Sequence, residues 1–419
     1  MRDRWLIISY FANIDAMAPS HHIDDRLPFF TQKGIDVCLL TSPCGTHYNN
    51  LTHARIPSPA PSGIRYEVRY FLRRRTIKKF WFKFWETILL LPIYPFYFIE
   101  KIILRLDSTW SWFITASIAA TLLAIKKRPS ALYSTGGPVS AHIAAMIASF
   151  VTKIPHIAEF QDPLVHQYAA PGRLERHFIK GIERLIFKTA YAVVFLTQQA
   201  AKNASERNNN SKKTFAIYAG AVPRENMTPY SHEEALNIAH FGSIGGSRNL
   251  DYIFKALVLL VCESPNLPNY FRLHLYGNNS RNVSKKIEQF PYREILNVRG
   301  KVQRQEAVDF MYKADVLLLI QNTDDVSFET IPSKVYEYLH TGRPVLALVY
   351  RNDELRSMLE GMGHIVVQAD DELAIKRGLE AYIDRWKQNQ LQSSPLKSPY
   401  TVEPAVDELI SLANTISKC

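Results

Sequence analysis

Short apolar runs recur along this chain, and each is followed by a glycine or polar loop and then by a stretch with helical spacing. Trp5 to Phe11 is the first such run and residues 35–41 the second; Ser20 to Lys33 lies between them and Gly34 stops it. That β-α-β spacing implies a parallel sheet. Further strands are expected at Ala131–Ser134, from Ile154 toward Phe160, at Ala192–Leu196 and at Thr214–Tyr218, with helices over 139–150, within 173–190 and over 198–207. A polar stretch, 224–235, then interrupts the pattern, and it restarts. Strands are expected at Leu236–Phe241, Phe271–Tyr276, Ile295–Arg299, Val316–Ile320, Val345–Val349 and His364–Val367, with helices over 249–264, 306–313, 353–360 and 371–390. At 419 residues the chain is long for one core. The reading is therefore α/β, with doubly wound parallel-sheet domains over 1–225 and 234–400 and a terminal helix over 401–419. Sheets of this kind bind ligands at the carboxyl ends of their strands, where Ala12 to Ser20 forms a long polar loop.

The net charge of +11 favours an anionic partner: nucleic acid, acidic membrane or a phosphorylated substrate. Cys38, Cys44, Cys262 and Cys419 are scattered and form no CxxC, which fits a reducing cytosol and neither a zinc site nor a disulfide framework. The start of the chain does not read as a signal peptide. Residues 65–106 stand apart in composition. Arg69, Arg73, Arg74, Arg75, Lys78 and Lys79 interleave with aromatics such as Tyr70, Phe71, Phe80 and Trp81, and the apolar run Ile88 to Ile99 follows. Basic residues mixed with aromatics beside an apolar run read as a segment lying in a membrane interface, where each well-placed cation adds about 1 kcal/mol on acidic lipid. Packing on the protein's own surface and binding of RNA are the alternatives. The 12 residues of that run are too few to cross ~30 Å as a helix. A second run, Trp110 to Ile125, feeds directly into the strand at Ala131, which argues against its spanning.

Three motifs carry chemistry. Gly242-Ser-Ile-Gly-Gly-Ser-Arg248 follows a strand and opens a helix. Its amides, with Gly242, Gly245 and Gly246 allowing close approach, suit a diphosphate that Arg248 would neutralise. In Ser327 to Ala347, Glu329 and Glu337 stand eight positions apart around Pro332-Ser333-Lys334. Ser333 is a candidate cap for a helix beginning near Lys334, and Gly342 stops that helix. A cation at a helix start binds anions, and a Glu one turn further in can accept hydrogen bonds from sugar hydroxyls. In the first half, Thr135-Gly-Gly137-Pro138 permits close approach of a ligand, and Glu159-Phe-Gln-Asp162-Pro163 ends a neighbouring strand.

Together these residues resemble a GT-B glycosyltransferase of the retaining family 4 type, and the resemblance covers nearly the whole chain. Glu329-x7-Glu337, Pro332-Ser-Lys334, Tyr338-Leu-His-Thr-Gly-Arg-Pro344, the 242–248 turn, Ser134-Thr-Gly-Gly-Pro138 and Glu159-Phe-Gln-Asp-Pro163 carry it. It implies two Rossmann-like domains facing a cleft, the first binding acceptor and the second binding nucleotide sugar. Glu337 would hold the ribose, Glu329 would lie near the donor sugar, and Arg248 and Lys334 would hold the diphosphate and stabilise the leaving group. Asp162 is the candidate for a sugar or acceptor contact. The family pattern has an Arg where this chain has Ser243. It often has glycines in the first loop, where this chain offers His21, His22, Asp24 and Asp25. With no Asp-x-Asp and cations to neutralise the diphosphate, neither metal nor cofactor is expected. The implied protein is a hexosyltransferase on the cytoplasmic face of the plasma membrane, held peripherally on anionic lipid. Its acceptor would be lipid-linked or a surface polysaccharide such as lipopolysaccharide, and nucleic acid is not an expected partner. A sugar-nucleotide epimerase of similar two-domain fold and a non-catalytic membrane- or RNA-binding protein are the competing readings.

Overall fold

The structure, a computed structural model, describes residues 3–15, 17–75, 78–104, 106–165, 173–224, 230–391 and 397–416. Cys419 and residues 225–229 of the polar break lie outside these. The chain forms two compact units: Met1–Val165, Ala170–Tyr218 and Val402–Cys419 make the first, and Ala219–Thr401 make the second.

The first unit is built on β1 (Arg4–Ile8), β2 (Asp36–Thr41), β3 (Thr52–Arg55), β4 (Ala131–Gly136), β5 (His156–Phe160), β6 (Ala192–Phe195) and β7 (Thr214–Ala216). They form one parallel sheet in the order β3-β2-β1-β4-β5-β6-β7. β3 has no counterpart in the expected strands. Its residues, Thr-His-Ala-Arg, carry no apolar run, because an edge strand with exposed ends needs none. Alternation sorts the central strands onto two faces. Trp5, Ile7, Leu39 and Tyr133 meet Ile23, Leu27 and Phe30 of helix α1 (Ala18–Gln32). The terminal helix Val402–Ile416 completes that layer with Val406 and Leu409, and Lys33 bridges to its Glu403 and Asp407 at 2.9 Å each.

The segment of mixed basic and aromatic residues folds as three helices, α2 (Pro61–Arg75), α3 (Lys79–Leu90) and α4 (Tyr94–Ile103). Two buried carboxylates fasten it. Glu67 accepts from Ser58 N (3.0 Å), Ser58 Oγ (2.6 Å) and Tyr10 OH (3.1 Å). Glu100 accepts from Ser62 N (2.8 Å), Ser62 Oγ (2.5 Å) and Trp110 Nε1 (2.7 Å). Beyond it, α5 (Trp112–Lys127) and α6 (Val139–Thr152) pack on the sheet face carrying Leu6, Ile8, Leu40 and Leu132. The expectation for Trp110 to Ile125 holds: α5 is part of the sheet's cover, and no described helix is long and apolar enough to cross a membrane.

The second unit has β8 (Leu236–Phe241), β9 (Phe271–Tyr276), β10 (Leu296–Gly300), β11 (Val316–Ile320), β12 (Val345–Val349) and β13 (Ile365–Gln368) in the parallel order β10-β9-β8-β11-β12-β13. Near-continuous apolar strands such as Val-Leu-Leu-Leu-Ile and Val-Leu-Ala-Leu-Val are buried throughout, as strands covered on both faces should be. The strand order reverses between β8 and β11, so the ligand crevice belongs at the carboxyl ends of those two strands.

Removing the Glu67 carboxylate leaves the Ser58 amide and the Tyr10 hydroxyl buried without an acceptor. Glu67→Ala should cost about 2 kcal/mol and Glu67→Gln distinctly less, as read from denaturant midpoints.

Candidate active site

β8 ends at Phe241, and the chain then turns at Gly242 with φ +133°. The Gly242 amide donates to Tyr276 O at 2.6 Å. On the neighbouring strand Gly277 has the same φ and packs directly on Gly242: a Cβ at Gly277 would fall 2.3 Å from the Gly242 carbonyl oxygen. This backbone contact brings the two strand ends together and leaves the Gly242 α-carbon bare. Lys334 occupies that space, and a Cβ on Gly242 would fall 2.2 Å from its Nζ.

The turn closes with a Gly245–Arg248 bridge, and the helix starts only at Asp251, two residues later than expected. Ser247 Oγ donates to Asp324 Oδ2 at 2.5 Å, and Thr323 Oγ1 donates to Ser247 O at 2.8 Å. The turn after β8 is thereby tied to the loop after β11. Asp324 also accepts from Ser327 N, so this acidic residue holds the loop's shape. Gln321 and Asn352 secure the loop from below. The Gln321 amide donates to Ser327 O and Thr330 O at 2.8 and 3.1 Å, and the Asn352 amide donates to the same pair at 2.6 and 3.0 Å. Glu329 sits inside this loop, in the 3-10 turn Asp325–Glu329, and is buried.

The short helix Lys334–His340 begins after Pro332 as expected, but Ser333 does not cap it: Ser333 has helical angles, makes no side-chain cap bond and is exposed. The anchor is Tyr338, a buried residue whose hydroxyl accepts from Phe241 N at 3.0 Å. Gly342 ends the helix with φ +69°.

Lys334 and Arg248 thus stand together at the switch point, and among the described residues neither has a carboxylate within ion-pair distance. Arg248 Nη1 makes only a 3.4 Å contact to Ser243 O, and its Nε is buried without a partner. Burial pushes the Lys334 ammonium down to about 8; neighbouring Arg248 adds to this and Glu337 partly opposes it. Burial likewise lowers Arg248. Buried like charges without a counterion are costly, so an anion would be strongly favoured here. Beneath them His240, absent from the sequence reading, donates through Nδ1 to Leu318 O at 2.9 Å, while its Nε2 has no partner among the described residues. Burial, reinforced by Lys334 and Arg248, holds its pKa down to about 3, so it stays neutral.

Glu337 has a partner that sequence reasoning missed. Arg304, at the start of the helix after β10, donates to Glu337 Oε1 from Nη2 at 3.0 Å and from Nε at 3.2 Å. Its position at the carboxyl end of a strand was the available signal. Gly245 and Gly246 lie in the turn, but they differ. A Cβ at Gly245 would meet Ser280 Cβ at 3.0 Å, whereas Gly246 has open space and a φ of +63°.

The first unit's candidates form a different network. Glu159 is fully buried and paired with both Arg26 and His22, and Tyr133 OH donates to it at 2.8 Å. Burial alone would raise its pKa, but the Arg26 guanidinium and the His22 ring hold it well below the usual carboxylate range. Asp24 accepts from Asn13 N (2.8 Å), Ser20 Oγ (2.7 Å) and Tyr48 OH (2.6 Å), so it fastens the first loop. His142 is buried against Ser134 Oγ at 2.8 Å. Asp162 is exposed beyond the end of β5. Glycine is required at Gly136, with φ +132°, whereas Gly137 has an ordinary φ and open space for a side chain.

No family model matches the chain, and no curated protein matches it by sequence. Solved structures match it along its length. The trehalose 6-phosphate synthase of Burkholderia multivorans has a TM-score of 0.64 at 11% identity, covering 100% of this chain and 98% of that one. Anabaena HepE in complex with UDP has a TM-score of 0.62 at 12% identity, with 100% and 99% covered. A UDP-N-acetylglucosamine 2-epimerase structure from Listeria monocytogenes has 0.56 at 10% identity, with 100% and 97% covered. These likenesses, with the two parallel sheets, define the GT-B fold.

Alanine at either strand end must adopt a φ that costs of order 1–3 kcal/mol. Gly277→Ala also meets backbone, so its melting temperature should fall further than that of Gly242→Ala. The latter meets only the mobile end of Lys334 and should lose affinity for pyrophosphate, as measured by calorimetric titration.

Proposed function

We propose that the chain is a retaining glycosyltransferase of the hexosyltransferase type, moving a sugar from a nucleotide-diphosphate donor to a lipid-linked or surface-polysaccharide acceptor. The observation that carries this reading is Lys334 over the bare backbone of Gly242, with the cation Arg248 as its neighbour at the switch point. Breaking the bond between the anomeric carbon and the diphosphate leaves negative charge on the departing phosphate. Two desolvated cations already in place stabilise that charge as it develops, with little reorganisation. They supply the neutralisation that a metal would otherwise provide, so EDTA should leave the rate unchanged. Glu337, oriented by Arg304, is placed one helical turn beyond Lys334 to accept from ribose hydroxyls. Glu329 is assigned to the donor sugar and Asp162 to a sugar or acceptor hydroxyl. Solved relatives of the fold support the donor class: HepE has been obtained with UDP and with UDP-glucose. A lipopolysaccharide outer core galactosyltransferase, WaaB, shares the fold with a TM-score of 0.59. In this reading the reaction belongs at the inner face of the plasma membrane, and the basic and aromatic helices support it.

The epimerase reading is favoured by one observation, the full-length likeness to the 2-epimerase structure. Incubating nucleotide sugars with and without a membrane lipid extract, with products read by mass spectrometry, separates the two. Product formed only with acceptor supports transfer, and an isomerised nucleotide sugar without acceptor supports epimerisation. Under the proposed function Lys334→Ala should lower kcat about 10²–10³-fold, and Glu337→Ala should abolish transfer while leaving the melting temperature nearly unchanged.

Proton linkage offers a further check. The free Lys334 pKa is depressed to about 8, and a bound diphosphate raises it. Binding near pH 8 should therefore take up protons, and affinity should fall as pH rises above about 8. Calorimetry of UDP binding in buffers of different ionisation enthalpy measures the uptake.

A further inference from the structure

Among the described residues, 25 large apolar side chains are exposed, and 18 of them fall between residues 71 and 125. Such a concentration in one part of a chain marks an interaction surface. Among its described side chains helix α3 buries only Leu90, and it leaves Trp81, Phe84 and Trp85 more than two-fifths exposed. On α4, Ile102 is 76% exposed.

Helix α5 gives the sharper observation, because its amphipathicity is inverted. Ala116, Ala120 and Ala124 face the core, where they meet the alanine-rich face of α6, while Ile118, Leu122 and Ile125 are each about 60% exposed. A helix facing water places its branched apolar residues inward and small or polar residues outward. This one does the reverse, so its outer stripe is suited to an apolar surrounding.

Charge decides which surrounding. Between residues 60 and 130 there are only four carboxylates. Glu67 and Glu100 are buried in the hydrogen bonds that fasten the helices. Glu86 pairs with Arg69 at 3.0 Å, and Asp107 accepts from Thr109 N and Oγ1. Three of the four are thus buried or paired and only Asp107, bonded to Thr109, is exposed, against the exposed cations Arg73, Arg74, Arg75, Lys83, Lys126 and Arg128. A second copy of this surface would bring like charge against like charge. An anionic lipid bilayer matches both the apolar area and the cations at its margin.

We propose that α3, α4 and the outer stripe of α5 insert together into the headgroup and acyl boundary of an anionic bilayer. The chain is then held chiefly by apolar burial, and charge serves to select the lipid. The three helices are fixed to one body: α3 and α4 pack on α2, and Trp110 at the start of α5 bonds to Glu100 of α4. This deepens the membrane placement proposed above but is independent of the sugar chemistry: a chain inactive on every nucleotide sugar would still partition.

The test is flotation of the full chain with phosphatidylglycerol-containing vesicles, with phosphatidylcholine vesicles as the comparison. The expected result is preference for the anionic vesicles, retention in 1 M NaCl once bound, and a blue shift of tryptophan emission from Trp81 and Trp85. The variant W81Q/F84Q/W85Q and the separate variant I118Q/L122Q should each lower the partition coefficient at least tenfold, with circular dichroism and the melting transition preserved. The proposal is overturned if the bound chain is fully released by 1 M NaCl, or if the two variants partition like the parent. It is equally overturned if the parent does not float but is a dimer that the same substitutions make monomeric, because a second copy then covers the surface.

Discussion

The contact of Gly242 on Gly277 is the constraint from which the second unit's site follows. Two parallel strands end side by side, and their chains must diverge there without side chains between them. That requirement selects φ values near +133° at both positions, which only glycine adopts freely. The bare surface left at Gly242 is then wide enough for the end of Lys334. Lys334 reaches it because Tyr338 fixes its helix to the last residue of β8. Arg248 is placed by the same turn, which Ser247 and Asp324 tie to the opposite loop. The location of positive charge is thus a consequence of backbone packing several residues away.

The two units treat buried charge in opposite ways. In the first, Glu159 is matched by Arg26 and His22 and satisfied further by Tyr133, so its charge is internally balanced. Breaking such a network by removing one member is costly, yet the intact network has little left to offer a ligand. In the second, Lys334 and Arg248 are partly desolvated and have no carboxylate within ion-pair distance among the described residues, while Glu337 is balanced by Arg304. The imbalance is local and specific. An anion beside Lys334 and Arg248 would relieve it, which is the basis of the phosphate position proposed above.

Most strands could be read from the chain because buried parallel strands are apolar on both faces and end at glycine or polar loops. β11 and β12 were placed to the residue, and β8 likewise. The edge strand β3 escaped because its partner strand supplies the hydrogen bonds and its side chains need not be buried. The grouping of Lys334, Arg248 and Glu337 was legible because the motifs that carry them follow strand ends. Arg304 and His240 were missed: Arg304 follows a strand end, but its pairing with Glu337, like the place of His240, depends on the sheet order. Ser333 illustrates a competing force: its capping chemistry was available, but Pro332 and the Tyr338 anchor set the helix start without it. The glycine constraint at 136 rather than 137 depends on a backbone angle that composition does not reveal.

The terminal helix Val402–Ile416 closes the core of the first unit, although some 180 residues of the second unit separate it from the rest of that unit. During synthesis the chain emerges from its amino end, and domains generally fold as they appear. Here the face formed by Trp5, Ile7 and Phe30 keeps an open flank until Val406 and Leu409 have left the ribosome. The second unit can fold before then, and the first unit is completed only once residues 402–416 have been made. A truncated product of this gene would therefore expose apolar surface in the part made earliest, which directs incomplete chains toward chaperones and proteolysis.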